Sequence, residues 1–392
     1  MRNVVIVAGA RTPMGAFQGA FADLTAPQLG AIAIREAVRR AGVSPEDVEE
    51  VLMGNVLSGG IGQAPARQAS RGAGLPDSVP CTTVNKVCGS GMKTAMMAAQ
   101  AIAAGDAEII VAGGMESMSN TPYALPKART GYRMGNGTLV DLMIHDGLWD
   151  PYDDCHMGTC GDATAAEFGI TREQLDAYAA ESVKRARDAV SNGHFAEEIV
   201  PVEVPQRKGD PLTISEDEGP KKAMPEKLAG LRPAFGKTGV TTAGNASSIN
   251  DGAAALVLMS EDEANRRGAQ PIARIVAQAQ FAQEPAKFTT APTGAIRKLL
   301  VKSGLSVDQV DLFEVNEAFA VVAMNVALSV GIPFERLNVN GGAVALGHPI
   351  GMTGTRLLLT AALELRRRGE RYAVASPCIG GGEATAVLIE RL

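Results

Sequence analysis

The sequence predicts an α/β protein in which one structural unit occurs twice. Residues 34–44 and 296–306 both form an amphipathic helix pattern that ends at a glycine, the usual C-cap residue. In both copies a serine and an acidic turn follow, and then a short apolar run at 51–53 or 312–315. The composition agrees, because 46% hydrophobic residues, 44 glycines and 4% aromatic residues favour closely packed helices and many turns.

A second stretch of the chain repeats at almost the same offset. The helix pattern that ends at Gly105 leads into an apolar run at 109–113, and the one that ends at Gly369 leads into 372–376. Chance similarity between amphipathic helices is the alternative explanation of either match alone. A duplicated α/β unit accounts for both.

The region between the copies has a different composition. Residues 119–249 contain the single Trp, most of the Tyr and three of the four His, with one amphipathic helix over 171–192 that opens on a capping box, Thr171 with Gln174. Such a loop-rich excursion is typical of a ligand-binding region. A buried-strand pattern at 251–259 then resumes the first copy. We therefore expect a first half of residues 1–118 and 250–268, an inserted loop domain of 119–249, and a second half of 269–392.

Charge and cysteine content narrow the class of protein. The 392 residues carry a net charge of −6, which gives no support for nucleic-acid binding. Five cysteines without framework spacing favour reduced thiols, and hence a cytoplasmic protein. We expect no targeting segment and no membrane association, because no apolar run approaches the ~20 residues of a membrane helix.

Cys88 is the first candidate for chemistry. It stands in the turn 88–91, Cys-Gly-Ser-Gly, before a helix of small and apolar residues at 92–104. The positive end of a helix dipole lowers a thiol pKa, so this position predicts an accessible thiolate. The alternative is an inert core cysteine, although such a residue would not need a permissive glycine turn.

Three further residues stand at comparable positions. His348 lies in a glycine-rich turn before a proline, Cys378 precedes three glycines, and Asn316 ends a repeated strand. A thiol, an imidazole and a second thiol beside free backbone N–H groups suit acyl transfer, which needs a nucleophile, a base and an oxyanion hole. A turn-capping histidine and an incidental cysteine remain the structural alternatives.

Cys155, His156 and Cys160 also lie close together in the sequence. A zinc site would need a fourth ligand and a recognised spacing, and neither is present. We therefore expect no metal.

Taken together, the glycine-rich segments resemble those of the thiolases, and within them the acetoacetyl-CoA thiolases. The resemblance runs from the first strand to the last. The segments that carry it are 84–93 (VNKVCGSGMK), 113–119 (GGMESMS), 316–319 (NEAF), 340–343 (NGGA), 347–351 (GHPIG) and 378–382 (CIGGG).

This resemblance implies a fold and a set of catalytic roles. The fold is the duplicated thiolase fold, with α-β-α-β-α layers and an inserted loop domain. Cys88 carries the acyl group as a thioester, and His348 activates it and forms one oxyanion hole with a water held by Asn316. Cys378 moves the α-carbon proton, and the N–H groups of Cys88 and Gly380 form the second oxyanion hole.

The resemblance also implies that coenzyme A is a substrate and product, with no resident cofactor, and that the chain forms a homotetramer or homodimer. Phe288 aligns near the acyl end of the pocket. The family's basic residue for the CoA phosphates has no match in register, so Lys221, Lys222 and Lys227 are the candidates. The positions that match the rest of the channel are Leu148, His156, Met157, Phe235, Ala243, Ser247, Ala318 and Phe319.

The implied reaction is the reversible condensation of two acetyl-CoA to acetoacetyl-CoA and CoA. A longer-chain 3-ketoacyl-CoA thiolase of fatty-acid breakdown is the first alternative. A non-catalytic acyl-CoA-binding homologue is disfavoured because binding alone needs no second thiol. A decarboxylating ketosynthase is disfavoured because that relative normally has two active-site histidines.

Overall fold

A computed structural model describes residues 2–392, and the bounds of its elements are as follows. The strands are β1 (Val4–Arg11), β2 (Gly15–Ala16), β3 (Glu50–Gly54), β4 (Cys81–Val84), β5 (Ile109–Ser117), β6 (Tyr123–Ala124), β7 (Val140–Asp141), β8 (Trp149–Asp150), β9 (Cys155–His156), β10 (Val202–Val204), β11 (Leu212–Ile214), β12 (Asn250–Ser260), β13 (Ala273–Ala282), β14 (Leu312–Val315), β15 (Tyr372–Ser376), β16 (Cys378–Ile379) and β17 (Glu383–Glu390). The α-helices are α1 (Ala26–Ala41), α2 (Pro65–Ala73), α3 (Ser90–Ala104), α4 (Met157–Phe168), α5 (Arg172–Ser191), α6 (Glu218–Lys222), α7 (Glu261–Arg267), α8 (Ala291–Ser303), α9 (Ala320–Val330), α10 (Ala343–Leu346) and α11 (Thr353–Arg368).

The main sheet runs through both halves of the chain. Its strand order is β14-β15-β17-β13-β1-β12-β5-β3-β4, with β2 and β16 paired at its sides. Strand β3 is parallel to β4 and β5, and β14 is parallel to β15. The remaining pairs in the sheet are antiparallel.

The predicted duplication is visible in the order of the elements. The series β1-α1-β3-α3-β5-β12 recurs as β13-α8-β14-α11-β15-β17, and the two series join where β1 pairs with β13. Gly42 and Gly304, the predicted C-caps of α1 and α8, have φ of 65° and 73°. The capping box at Thr171 and the helix after it are also confirmed.

Helices separate the two halves of the sheet into layers. The buried apolar side chains of α1 and α2 cover one face of the first half, and those of α8 and α9 cover the outer face of the second. Helices α3 and α11 pack against each other between the two halves. The order across the molecule is therefore α-β-α-β-α, with the functional turns at the N-terminal ends of the two central helices.

Two glycines allow those N-terminal ends to meet. A Cβ on Gly91 would lie 2.5 Å from Thr355 Oγ1, and one on Gly354 would lie 2.4 Å from the backbone nitrogen of Met92. The Thr355 hydroxyl donates to Gly91 O across this contact at 2.9 Å. The close approach brings the turn before α3 toward the turn before α11.

Residues 119–249 contain α4, α5, α6 and three small strand pairs. A buried ion network attaches this region to β1, because the Arg11 guanidinium donates to Asp217 at 2.7 and 2.9 Å and to Glu198 at 2.7 Å. Arg11 is fully buried, so it depends on both carboxylates. In the described part of the chain, no helix has the length and apolar character needed to span a membrane.

Candidate active site

Cys88 lies in a tight turn at the start of α3. Val87 has a φ of 45°, a left-handed conformation that is uncommon outside glycine, and the helix begins two residues after the thiol at Ser90. The Ser90 hydroxyl accepts Lys86 N–H at 2.8 Å and donates to Val87 O at 2.6 Å, which holds the turn closed. The side chain of Cys88 is 94% buried, since its exposed fraction is 6%.

The prediction that the helix terminus lowers the pKa of Cys88 is wrong. Burial raises the pKa of this thiol to about 11, although backbone N–H groups of Gly380 and of Cys88 itself act in the opposite direction. The nearby Glu116 carboxyl raises the pKa further. Removal from water outweighs the helix terminus, so the resting residue is a thiol and needs a base.

His348 lies in the loop before α11 and is nearly fully buried. Burial, with the nearby Arg356, lowers the pKa of the imidazole to about 3, so the ring is neutral at physiological pH. Its Nε2 lies 3.3 Å from Asn316 Nδ2, and its backbone N–H donates to Asn250 Oδ1 at 3.0 Å. A neutral imidazole with an available nitrogen is the form that can act as a base.

Thr353 supports the other ring nitrogen. Its hydroxyl lies 2.7 Å from His348 Nδ1 and 2.9 Å from Pro349 O. When the hydroxyl donates to Pro349 O, it accepts from Nδ1–H, and Nε2 is left as an acceptor. When it donates to Nδ1, Nε2 carries the proton. The same contact therefore accommodates both tautomers of the histidine.

The second thiol, Cys378, is completely buried in β16. Burial and the proximity of Cys88 raise its pKa well above the ordinary value, while the N–H groups of Ala318 and of Cys378 itself lower it. Asn316 precedes Ala318 by two residues and is anchored by its N–H to Ser376 O at 3.1 Å. Its Oδ1 is buried without a protein partner, so this amide has a free polar atom inside the site.

The loops of the two thiols are in direct contact. A Cβ on Gly89 would lie 2.2 Å from Ile379 Cδ1, so any larger residue here would displace the Ile379 side chain. Gly380 N–H faces Cys88, and a Cβ on Gly380 would lie 3.2 Å from Met157 Cε. The structure thus brings together Cys88, Met157 and the Cys378–Gly380 turn from three separate segments.

A row of rings extends from the site along the inserted region. His156 stacks on Phe235 with centroids 4.4 Å apart, and Phe235 meets Phe319 edge-on at 5.9 Å. Phe288 contacts the other side of Phe319 at 6.4 Å. Leu148 packs against the apolar cluster that contains Cys88. All five side chains were predicted to line a ligand channel; the four rings form one row, and Leu148 lies against the cluster of Cys88.

The remaining predicted channel residues fall into two groups. Ser247 donates from both its N–H and its hydroxyl to Ala318 O at 3.0 Å, next to Cys378. Ala243 lines a groove of about 360 Å³ with Lys222 and Lys227, and Asn250 also lines it.

Lys221 lies outside that groove. Its ammonium pairs with Glu216 at 2.7 Å, and its side chain lines a separate depression with Arg187. Of the three candidate lysines, two thus line the groove of Ala243 and one does not.

Comparison with known proteins identifies the family. The thiolase N-terminal domain matches residues 4–262, and the thiolase C-terminal domain matches residues 269–391. The chain belongs to the thiolase family. The predicted duplicated thiolase fold with α-β-α-β-α layers is thereby confirmed.

Relatives of this thiolase match over almost their full length. Acetyl-CoA acetyltransferase 2 of Arabidopsis thaliana is 54% identical over 100% of this chain and 98% of the relative. Acetyl-CoA acetyltransferase of Pseudomonas aeruginosa is 50% identical over 100% of both chains.

Two solved structures agree in fold. Acat5 thiolase from Ascaris suum, in complex with coenzyme A, is 42% identical with a TM-score of 0.95 over 100% of both chains. Bacillus anthracis acetyl-CoA acetyltransferase is 42% identical with a TM-score of 0.98 over 100% of this thiolase and 99% of that chain.

Sequence reasoning missed three residues that orient the site of this thiolase. Thr353 and Asn250 hold the His348 ring and backbone. Glu116 is buried and accepts Gly351 N–H at 2.8 Å, and burial raises its pKa to about 7. Glu116 lies in segment 113–119, one of the segments that carry the resemblance to the thiolases. Thr353 and Asn250 have no sequence signal of their own, except that Thr353 lies near His348 and Asn250 lies next to a predicted strand.

The expectation of no metal concerns the cluster around His156. Within residues 2–392, no group of three or more His, Cys, Asp or Glu side chains is arranged to hold a metal ion. All five cysteines are free in the structure.

Proposed function

We propose that this protein is an acyltransferase that condenses two acetyl-CoA reversibly to acetoacetyl-CoA and CoA through an acyl-cysteine intermediate. The observation that carries the proposal is the meeting of two buried thiols with a Gly380 N–H, and the packing of the loop of a neutral imidazole, through Ile350, on the cluster that contains Cys88. Thiolysis and its reverse need a nucleophile and a separate proton carrier, and both are present. The names of the full-length relatives support the same reaction.

In the first step, Cys88 attacks the acetyl-CoA carbonyl carbon while its proton passes to His348. The carbon–sulfur bond to CoA breaks, and the departing sulfur takes the proton from the imidazole. The pKa of about 11 for the Cys88 thiol makes this base necessary. With the Thr353 hydroxyl donating to Pro349 O and accepting from Nδ1–H, the Nε2 of the ring is free to take this proton and return it.

In the second step, the Cys378 thiol passes its proton to the neutral imidazole of His348, and the resulting thiolate takes a proton from the methyl carbon of a second acetyl-CoA. The carbanion attacks the acetyl carbon on Cys88, and the thioester bond breaks. The Cys88 sulfur receives the proton held by Cys378, and His348 returns its proton to Cys378. The N–H of Ala318 supports the thiolate of Cys378. The negative oxygens of the intermediates would be held by the N–H groups of Cys88 and Gly380 and by Asn316 with a water.

Coenzyme A enters as substrate and leaves as product. The CoA complex of the Ascaris suum thiolase supports CoA as a ligand. We place its pantetheine and phosphates in the groove beside Ala243, because two of the candidate lysines line it. We prefer Lys227 and Lys222 over Lys221 for the phosphates, because they line this groove. Lys227→Ala should raise KM for CoA a few-fold more than Lys221→Ala, and added salt should weaken CoA binding.

Substrate length distinguishes the proposed enzyme from a longer-chain 3-ketoacyl-CoA thiolase. Met157, Phe288 and Phe319 are each more than nine-tenths buried around the acyl end. One misplaced methylene costs about 1–3 kcal/mol in such a pocket. We expect kcat/KM for thiolysis to fall by about tenfold or more from acetoacetyl-CoA to 3-ketohexanoyl-CoA. A flat or rising series would assign the longer-chain activity instead.

The nucleophile is tested by trapping the intermediate. Incubation with radiolabelled acetyl-CoA should leave the label on the peptide that contains Cys88, and Cys88→Ser should abolish it. Label on the Cys378 peptide of the unmodified protein would reverse the assignment of the two thiols.

We also propose bounds for the domains, an oligomeric state and a cellular location. The division into residues 1–118 with 250–268, 119–249 and 269–392 is supported by the position of β12 between β1 and β5. Assembly as a homotetramer or homodimer is supported by the exposed apolar side chains of Tyr123, Met134 and Leu139, and light scattering would measure it. A cytoplasmic location is supported by the five free cysteines.

A further inference from the structure

A salt bridge connects the segments that carry the two thiols. Lys86 Nζ bonds to Glu383 Oε2, and the side chains are 20% and 37% exposed. Lys86 precedes Cys88 by two residues, and Glu383 is the first residue of β17, directly after the turn of Gly380. The pair therefore joins one catalytic turn of the first half to the other catalytic turn of the second half.

Each partner is rigidly attached to its own turn. Lys86 N–H donates to Ser90 Oγ at 2.8 Å, and Lys86 O accepts Gly89 N–H at 3.0 Å, so the lysine backbone is part of the Cys88 turn. Glu383 pairs with Ile379 in the β16–β17 ladder. A displacement of either partner is thus a displacement of the turn that carries it.

The turn of residues 380–382, between Cys378 and Glu383, has no side chains of its own to fix its conformation. Residues Gly380, Gly381 and Gly382 have no side chains, and the last two have φ of 87° and 84°. Glycine loses the most conformational freedom on ordering, so such a turn needs outside contacts to stay in place. Its Gly380 N–H is the group that faces Cys88.

We propose that Lys86 and Glu383 form a positioning pair, which holds the Gly380 N–H against the Cys88 sulfur by tying the two turns together. The inference rests on the proposed function for its effect on turnover. Neither side chain is assigned a contact with substrate. An exposed ion pair usually contributes little to stability, so the expected effect is on geometry at the sulfur rather than on folding.

The decisive variant is Glu383→Gln, because the sign of its effect separates two explanations. Removal of a negative charge by itself favours the Cys88 thiolate and speeds its alkylation. Loss of the Gly380 N–H disfavours the thiolate and slows it. The other groups that face Cys88, Glu116 and Cys378, are unchanged in the variant.

The experiment measures Cys88 alkylation by iodoacetamide between pH 7 and pH 10, together with kcat and KM for acetoacetyl-CoA thiolysis. In Glu383→Gln we expect alkylation about threefold slower at each pH and kcat about five- to tenfold lower, with KM nearly unchanged, as for a small displacement of a catalytic group. The double reversal Lys86→Glu with Glu383→Lys should restore most of both rates. Asp47→Asn is the matched control, because Asp47 pairs with Arg267 at 2.6 Å at similar exposure far from the thiols.

Faster or unchanged alkylation in Glu383→Gln would overturn the inference, and so would a double reversal no better than the single variant. The alkylation arm needs no acyl-CoA. Failure of the unmodified protein to take up acetyl groups would therefore overturn the proposed function alone, and the alkylation rates would still decide the role of the pair.

Discussion

The two copies of the duplicated unit have matching elements but contribute unequally to the site. The first copy supplies one reactive side chain, Cys88 before α3. The second supplies His348 before α11, Asn316 after β14 and Cys378 after β15. The helix starts and the ends of the parallel strands are equivalent positions in the two copies. In the second copy these positions carry most of the reactive side chains.

The corresponding strand ends of the first copy carry support instead. Asn55 follows β3 and donates to Glu116 of β5 at 2.8 Å. Glu116 also accepts the backbone N–H groups of Val56, Leu57 and Gly351, and Gly351 belongs to the His348 loop. Glu116 of the first copy therefore holds the His348 loop of the second copy by a hydrogen bond. The two halves depend on each other for the site, although they contribute different groups to it.

The largest test of this inequality is a comparison of Cys378→Ala with His348→Ala. Cys378→Ala should still exchange CoA with acetyl-CoA, because acylation breaks no C–H bond, while condensation falls by about 10²–10⁴-fold. His348→Ala should damage both half-reactions. Isotope exchange and steady-state condensation measure the two, with circular dichroism as the control for folding. Equal loss of both in Cys378→Ala would contradict the division of roles.

A smaller effect is expected at Thr353. Thr353→Val removes the hydroxyl that supports His348 Nδ1 but keeps the shape, and loss of such a partner typically costs about 10–100-fold in activity. Thr353→Ser retains the hydroxyl and should recover most of kcat. Full activity in Thr353→Val, or a loss confined to Thr353→Ser, would show that the methyl group rather than the hydrogen bond is what matters.

The crossing of α3 and α11 can be tested through stability. Gly91→Ala places a methyl group 2.8 Å from Gly351 O, and overpacking of this kind costs about 1–3 kcal/mol of unfolding free energy. Urea denaturation would measure it. Gly230→Ala is the control, since its Cβ meets nothing within 4 Å. A Gly91→Ala protein with unchanged stability and full activity would show that α3 and α11 can move apart at this contact without harm to the fold or the site.

The last test concerns the thiol of the first copy and needs no change to that thiol. With the pKa of Cys88 raised to about 11, its thiolate fraction, and hence its alkylation rate, should rise about tenfold per pH unit from pH 7 to pH 10. The measurement uses Cys378→Ala so that only one active-site thiol reacts, with peptide mapping to identify it. A plateau near pH 8 would mean that the helix terminus prevails over burial.

The duplicated α/β plan and the catalytic candidates could both be predicted from the sequence. The glycine C-caps, the apolar runs and the glycine-rich turns are local signals, because helix ends and permissive turns depend on neighbouring residues. Cys88, His348, Asn316 and Cys378 could be chosen for the same reason, each standing in its own short segment.

The way in which those segments act on one another depends on their packing in the folded chain. The pKa of Cys88 follows the water excluded by distant residues, so the sign of its shift could not be read from a helix start. Thr353, Glu116 and the Lys86–Glu383 pair act through contacts between separate segments, and a separation in sequence carries no record of a distance in space. For the same reason three lysines close together in the sequence line different depressions of the surface.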